Sequence, residues 1–180
     1  MKKISMKSIE NASEKITILP EEELGKMMER FINQQPYLST YLMALGENEL
    51  SEYELEYMFY IALNVWHACE IAGCKCNTVE EDVIFEIEER NIKMLEYFDD
   101  ESDAEFSDDV LNLINHHPQS TLLEYVTMLI MDDEEMAEEM EDDDIDEEQE
   151  ISDNGKGVMF VIMKTFIECL DYEPKNRSKK

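Results

Sequence analysis

Apolar and polar positions along the chain recur mostly with the period of an α-helix. From Pro20 to Gln34, Leu24 is followed by Met27, Met28, Phe31 and Ile32 at spacings of three, four, seven and eight residues. Those spacings predict an amphipathic helix over 20–34. Pro20 suits its first turn, and Glu21, Glu22 and Glu23 place negative charge at the positive end of the helix dipole. Pro36 ends it, because the residue before a proline is pushed out of the α region. A short second helix is expected from Pro36 to about Leu45, stopped by Gly46 and Asn48.

Ser51-Glu52-Tyr53-Glu54 has the form of a capping box, in which hydroxyl and carboxylate satisfy each other's backbone N–H groups. The helix it opens is predicted to run to Gly73. Leu55, Phe59, Ala62, Trp66 and Cys69 recur at alternating fours and threes, and Met58, Ile61 and Val65 widen the stripe, so this helix should be central and heavily buried. Thr78-Val79-Glu80-Glu81 repeats the capping signature ahead of a helix over 79–98. Its apolar face is Ile84, Ile87, Met94, Leu95 and Phe98. Asn91 is the one polar residue in that face and is expected to be a buried amide with hydrogen-bond partners.

Past an acidic loop from Asp99 to Glu105, Ser107 is the expected N-cap of a helix over 108–116. It stops at Pro118, where another begins with Leu122, Val126, Leu129 and Ile130 on one side. Asp153-Asn154-Gly155-Lys156-Gly157 has turn composition. A last helix over 157–171 carries Met159, Met163, Phe166, Ile167 and Leu170. The fold class is therefore all-α, a compact domain of about seven or eight helices in a bundle or solenoid-like array. Residues 1–19 are taken as an N-terminal arm, 20–172 as one helical domain, and 173–180 as a basic tail containing Lys175, Arg177, Lys179 and Lys180.

Two helix boundaries resemble each other. Phe31-Ile32-Asn33-Gln34-Gln35-Pro36 and Leu113-Ile114-Asn115-His116-His117-Pro118 are offset by 82 residues. Met58-Phe59-Tyr60-Ile61 and Met159-Phe160-Val161-Ile162 are offset by 101, and the difference of 19 equals the length of the run 132–150. These matches predict two tandem three-helix units, 20–73 and 107–172, joined by the 79–98 helix, with 132–150 inserted in the second.

Charge changes the picture most. Of 180 residues, 45 are Asp or Glu and 15 are Lys or Arg, a formal charge of −30. Residues 132–150 hold 14 acids and no base, and only Lys75, Arg90 and Lys93 are basic between positions 31 and 155. A surface of this sign repels phosphate backbones, which excludes direct nucleic-acid binding and docking on an anionic membrane. No stretch approaches the ~20 apolar residues of a membrane span. The basic start Met1-Lys2-Lys3 leads into Ser8, Glu10 and Asn11 rather than an apolar segment, so no secretory signal is read. Four cysteines without one are expected as reduced thiols in the cytoplasm.

Candidate chemistry is sparse. His67, Cys69, Cys74 and Cys76 form H-x-C-x4-C-x-C, chemically a zinc set but without paired C-x2-C spacing; the structural alternative is buried thiols. No His has Glu three residues before it, which removes a di-iron carboxylate bundle. Asp142, Asp144 and Asp146 have the first spacings of a calcium loop but lack its Gly and closing Glu. Gly155-Lys156-Gly157 lacks the rest of a phosphate loop. His116-His117 before Pro118 could serve an enzyme only through a pocket at that turn.

No catalytic residue, cofactor or metal site is assigned. The expected function is that of a non-catalytic acidic interaction or regulatory protein binding a basic protein surface, with Tyr37, Tyr41, Tyr53, Tyr57 and Tyr60 as candidate anchors or core packing. The alternatives are a zinc- or thiol-dependent protein using His67, Cys69, Cys74 and Cys76, and a nucleic-acid mimic that occupies the basic cleft of a DNA-binding protein.

Overall fold

The computed structural model describes residues 1–98, 103–131 and 151–173. Among them the chain forms eight helices and no strand: α1 (Met6–Thr17), α2 (Glu21–Gln34), α3 (Pro36–Glu49), α4 (Glu52–Ile71), α5 (Glu81–Phe98), α6 (Asp103–His116), α7 (Ser120–Met131) and α8 (Asp153–Asp171). The all-α expectation holds. The acidic run 132–150, its calcium-loop spacing and the tail beyond Glu173 lie outside the described residues.

α4 and α8 form the centre, as their apolar patterns require. Ile61, Ala62, Val65, Trp66 and Cys69 of α4 and Met159, Met163, Phe166 and Ile167 of α8 are fully buried. A helix apolar on most sides has to be wrapped by others. α1 packs chiefly on α4 and α5 chiefly on α8, while α3 and α7 each touch both central helices. Phe31 of α2 enters between them, with ring centroids 5.5 Å from Trp66 and 5.9 Å from Phe166, in the tilted and edge-on arrangements that aromatic quadrupoles favour. Arg30 covers the outer side of Trp66 at 5.1 Å and pairs with Glu70 at 2.7 Å.

The starts of the two central helices are held by one carboxylate. The Ser51–Glu54 capping box forms as predicted, with Ser51 N donating to Glu54 Oε2 at 2.8 Å and Glu54 N to Ser51 Oγ at 3.2 Å. Glu54 Oε1 also accepts from Ser152 N at 2.8 Å and Ser152 Oγ at 2.7 Å, and Ser152 caps α8. Residues 153–157 are therefore the first turn of α8 rather than a free turn. Gly155 is needed for close approach: a Cβ there would overlap Glu54 Oε1.

Other boundaries differ from expectation for local reasons. Residues 1–19 carry α1, capped by Ser5 and buried through Ile9, Ala12 and Ile16. α3 continues through Gly46 to Glu49. Thr78 forms no capping box. Its hydroxyl donates to Gln34 O at 3.1 Å, and α5 starts only at Glu81. Ser107 lies inside α6, which begins at Asp103.

The candidate units 20–73 and 107–172 take in α2–α4 and α6–α8, the second starting inside α6. Helix starts fall 75 residues apart for α1 and α5, 82 for α2 and α6, 84 for α3 and α7, and 101 for α4 and α8. α1 and α5 lie outside both units and pack chiefly on α4 and α8 respectively.

Gln35 and Gln119 each directly precede a helix, α3 and α7. Gln35 Oε1 accepts from Val79 N at 3.2 Å and its Nε2 donates to Asn77 O at 2.8 Å. Gln119 Oε1 accepts from Ile4 N at 3.0 Å and its Nε2 donates to Lys2 O at 3.3 Å. Gln35 thus clasps the backbone leading into α5, and Gln119 the backbone leading into α1.

Candidate functional site

A pocket of about 250 Å³ opens where the first turns of α5, the α6–α7 turn and the end of α8 meet. Its apolar wall is Val83, Ile87, Pro118 and Tyr172, and its polar groups are Glu86, Arg90, His117, Glu168 and Asp171. It lies at the turn before Pro118, the place where chemistry by the paired histidines would need it. Only His117 lines it. His116 is exposed, and its Nδ1 lies 2.7 Å from Asn112 O, one turn back in its own helix.

His117 has a defined orientation. Its Nδ1 accepts from Gln119 N at 3.1 Å, so the neutral ring carries its proton on Nε2. The side chain is 6 % exposed, and Nε2 stands 3.4 Å from Glu168 Oε1. That approach is too long and poorly directed for a hydrogen bond, and Nε2 is buried without a partner among the described residues.

Glu168 is the hub of the floor. Oε1 accepts from Lys164 Nζ at 2.8 Å, and Oε2 accepts from Arg90 and from Asn91 Nδ2, both at 2.9 Å. Lys164 Nζ also donates to Asn91 Oδ1 at 2.7 Å, and Asn91 Nδ2 to Thr165 Oγ1 at 3.0 Å. Asn91 is thus the buried, fully partnered amide that the α5 pattern predicted.

Burial alone would raise the Glu168 carboxyl, but the Lys164 ammonium and the Asn91 amide that donate to it, with the His117 ring close by, hold it well below the usual carboxylate range. Burial lowers the Lys164 ammonium, and Glu168 offsets part of that. The sequence reading overlooked Arg90, Lys164 and Glu168 as one unit. The available signal was a lone Lys164 among Ile162, Met163, Phe166 and Ile167, with an acid four residues on.

Asp171 stands at the outer end of the pocket. It accepts from Gln119 Nε2 at 2.9 Å and from the Met1 ammonium at 2.8 Å. With Lys164 and Arg90 committed to Glu168 and the Met1 ammonium to Asp171, Glu86 remains exposed and without an ion pair among the described residues.

The cysteine cluster is arranged differently from a metal site. His67 faces Glu70, with Nδ1 3.0 Å from Oε2. The thiols form no disulfide: Cys69 is buried, and Cys74 and Cys76 are half-buried. The Cys69 thiol directed at Cys76 raises Cys69 and lowers Cys76, while burial raises Cys74. No group of three His, Cys, Asp or Glu side chains among the described residues is placed to hold a metal ion.

The tyrosines divide. Tyr53, Tyr57 and Tyr60 stack along α4 with centroids 6.2 Å apart, and Tyr57 Oη donates to Leu129 O at 3.1 Å. Tyr41 packs against the core, and Tyr37 is exposed.

The outer face of α5, beside the pocket, combines exposed apolar groups with acids. Phe85 is 66 % and Ile92 45 % exposed. Glu81 and Asp82, one turn before Phe85, and Glu86, next to it in sequence, are exposed and have no ion pair among the described residues, whereas Glu89 pairs with Lys93 at 2.7 Å. No helix among the described residues is long and apolar enough to cross a membrane. No known family model, curated protein or solved structure matches the chain.

Proposed function

We propose that the protein is a non-catalytic interaction protein of the cytoplasm that binds a basic protein surface, with the outer face of α5 at the centre of the contact. The observation that carries this reading is the exposed Phe85 with the unpaired Glu81, Asp82 and Glu86 near it on α5. An exposed aromatic is a natural anchor, and unpaired carboxylates near it select a partner of opposite charge and speed the encounter. The remaining net charge extends the same field over the molecule. A DNA-binding protein with a basic cleft is the narrower form of this partner. The cysteines, all free thiols, suit a reducing compartment.

The test is parallel capture from source-cell lysate with the wild-type chain, an α5 variant carrying Glu81→Lys, Asp82→Lys and Glu86→Lys, and a control carrying Glu10→Lys, Glu14→Lys and Glu21→Lys. The expected result is a stoichiometric basic protein that elutes with salt from wild type and control and is absent from the α5 variant. Equal recovery from all three, or no stoichiometric partner on any, overturns the reading.

A further inference from the structure

We propose that the pocket between α5, the α6–α7 turn and the end of α8 receives one arginine or lysine side chain of the basic partner, whose own backbone carbonyl accepts a hydrogen bond from His117 Nε2. The inference rests on the acidic-interaction reading and assigns it a specific anchor.

Four observations converge on this occupant. First, the pocket is about 250 Å³, below the ~300–1,000 Å³ of small-molecule sites and suited to a single long side chain. Second, Val83, Ile87, Pro118 and Tyr172 make an apolar wall along which the methylene stem of Lys or Arg can lie while its charged head stays at the mouth. The half-exposed Tyr172 ring offers a face to the cation.

Third, the mouth is negative. The pocket's own cations are already engaged by Glu168, whereas Glu86 and, one turn earlier on α5, Asp82 have no ion pair among the described residues. Fourth, the buried Nε2–H of His117 lacks an acceptor. A buried donor without a partner is costly, so an acceptor brought in by the occupant is favoured. A lone cation would leave that donor unmet. A basic residue within a peptide supplies both the cation and a carbonyl.

The probes are N-acetyl-arginine methylamide, the corresponding lysine compound and, as a neutral isostere, the citrulline compound, together with a hexa-arginine peptide. Binding at low salt is followed by the imidazole carbon-proton NMR signals of His67, His116 and His117. The expected result is a saturable shift of the His117 signal with the arginine or lysine compound and none with citrulline. Glu86→Gln, an exposed site that does not threaten the fold, should weaken binding about two- to fivefold, as loss of an exposed ion pair does, and Glu124→Gln on α7 should not.

If hexa-arginine binds without moving His117, and Glu86→Gln and Glu124→Gln weaken it alike, the pocket is overturned while the acidic reading stands. If hexa-arginine does not bind at low salt, both are overturned. A His117 shift that follows protein concentration without peptide assigns the pocket to a second copy of the chain and overturns the proposal.

Discussion

A single buried carboxylate, Glu54, accepts from three donors belonging to the starts of two helices. Burial alone would raise this carboxyl, and the hydrogen bonds from Ser51 and Ser152 outweigh that and lower it. Replacing Glu54 by Ala strands Ser51 N, Ser152 N and the Ser152 hydroxyl in a site that is 4 % exposed. Since each buried unmet donor costs about 1–3 kcal/mol and relaxation recovers part of it, Glu54→Ala should lose about 3 kcal/mol in urea unfolding. Gly155→Ala should also destabilise, although alanine is the better helix former, because its methyl group meets the same carboxylate. A neutral or stabilised Gly155→Ala would mean that Glu54 swings aside without loss.

Between elements, the tie joining α5 and α8 is the network on Glu168. Glu168→Ala leaves the Lys164 ammonium, 5 % exposed, without its countercharge, and breaking a buried pair on one side costs about 3–5 kcal/mol. The pH dependence has a definite sign. A carboxyl lowered in the folded state contributes stability that is complete above its unfolded value of about 4.3 and disappears as pH falls through the folded value. Wild type should therefore exceed Glu168→Gln at pH 7, and the two should converge as pH falls from about 4 toward 2. Using the difference removes the general relief of charge repulsion on acidification, and a constant gap would contradict the assigned role.

Legibility at this scale followed sequence distance. The long stripes of α2, α4 and α8 and the Ser51 cap were readable because their signals are local. α1 was not, since Ile9, Ala12 and Ile16 are few and small amid Lys, Ser and Glu. Gly155 was read as a turn residue because a glycine that admits a neighbour looks the same in sequence as one that turns the chain. The turn at His117 was readable as a place needing a pocket, but Arg90 and Glu168 meet there from helices 78 residues apart.

For the whole molecule, the formal charge of −30 sets the response to salt. Among the described residues, Lys26 pairs with Glu22 and Glu23, Arg30 with Glu70, Arg90 and Lys164 with Glu168, and Lys93 with Glu89, and three times as many acids as bases stand along the chain. The carboxylates left over repel one another more in the compact state than in the expanded one. Raising ionic strength shortens the screening length from about 30 Å at 0.01 M to about 8 Å at 0.15 M, so Tm should rise over that range. An unchanged Tm would show that the acids are too far apart to interact. The grip of Gln35 and Gln119 has a consequence of a different kind. Each holds main chain rather than side chain, at Lys2 O and Ile4 N and at Asn77 O and Val79 N, so the exposed side chains of Lys2 and Asn77 can be exchanged without loss of either clasp. The two glutamine side chains cannot be exchanged on those terms, because the clasp is made by their own amide atoms.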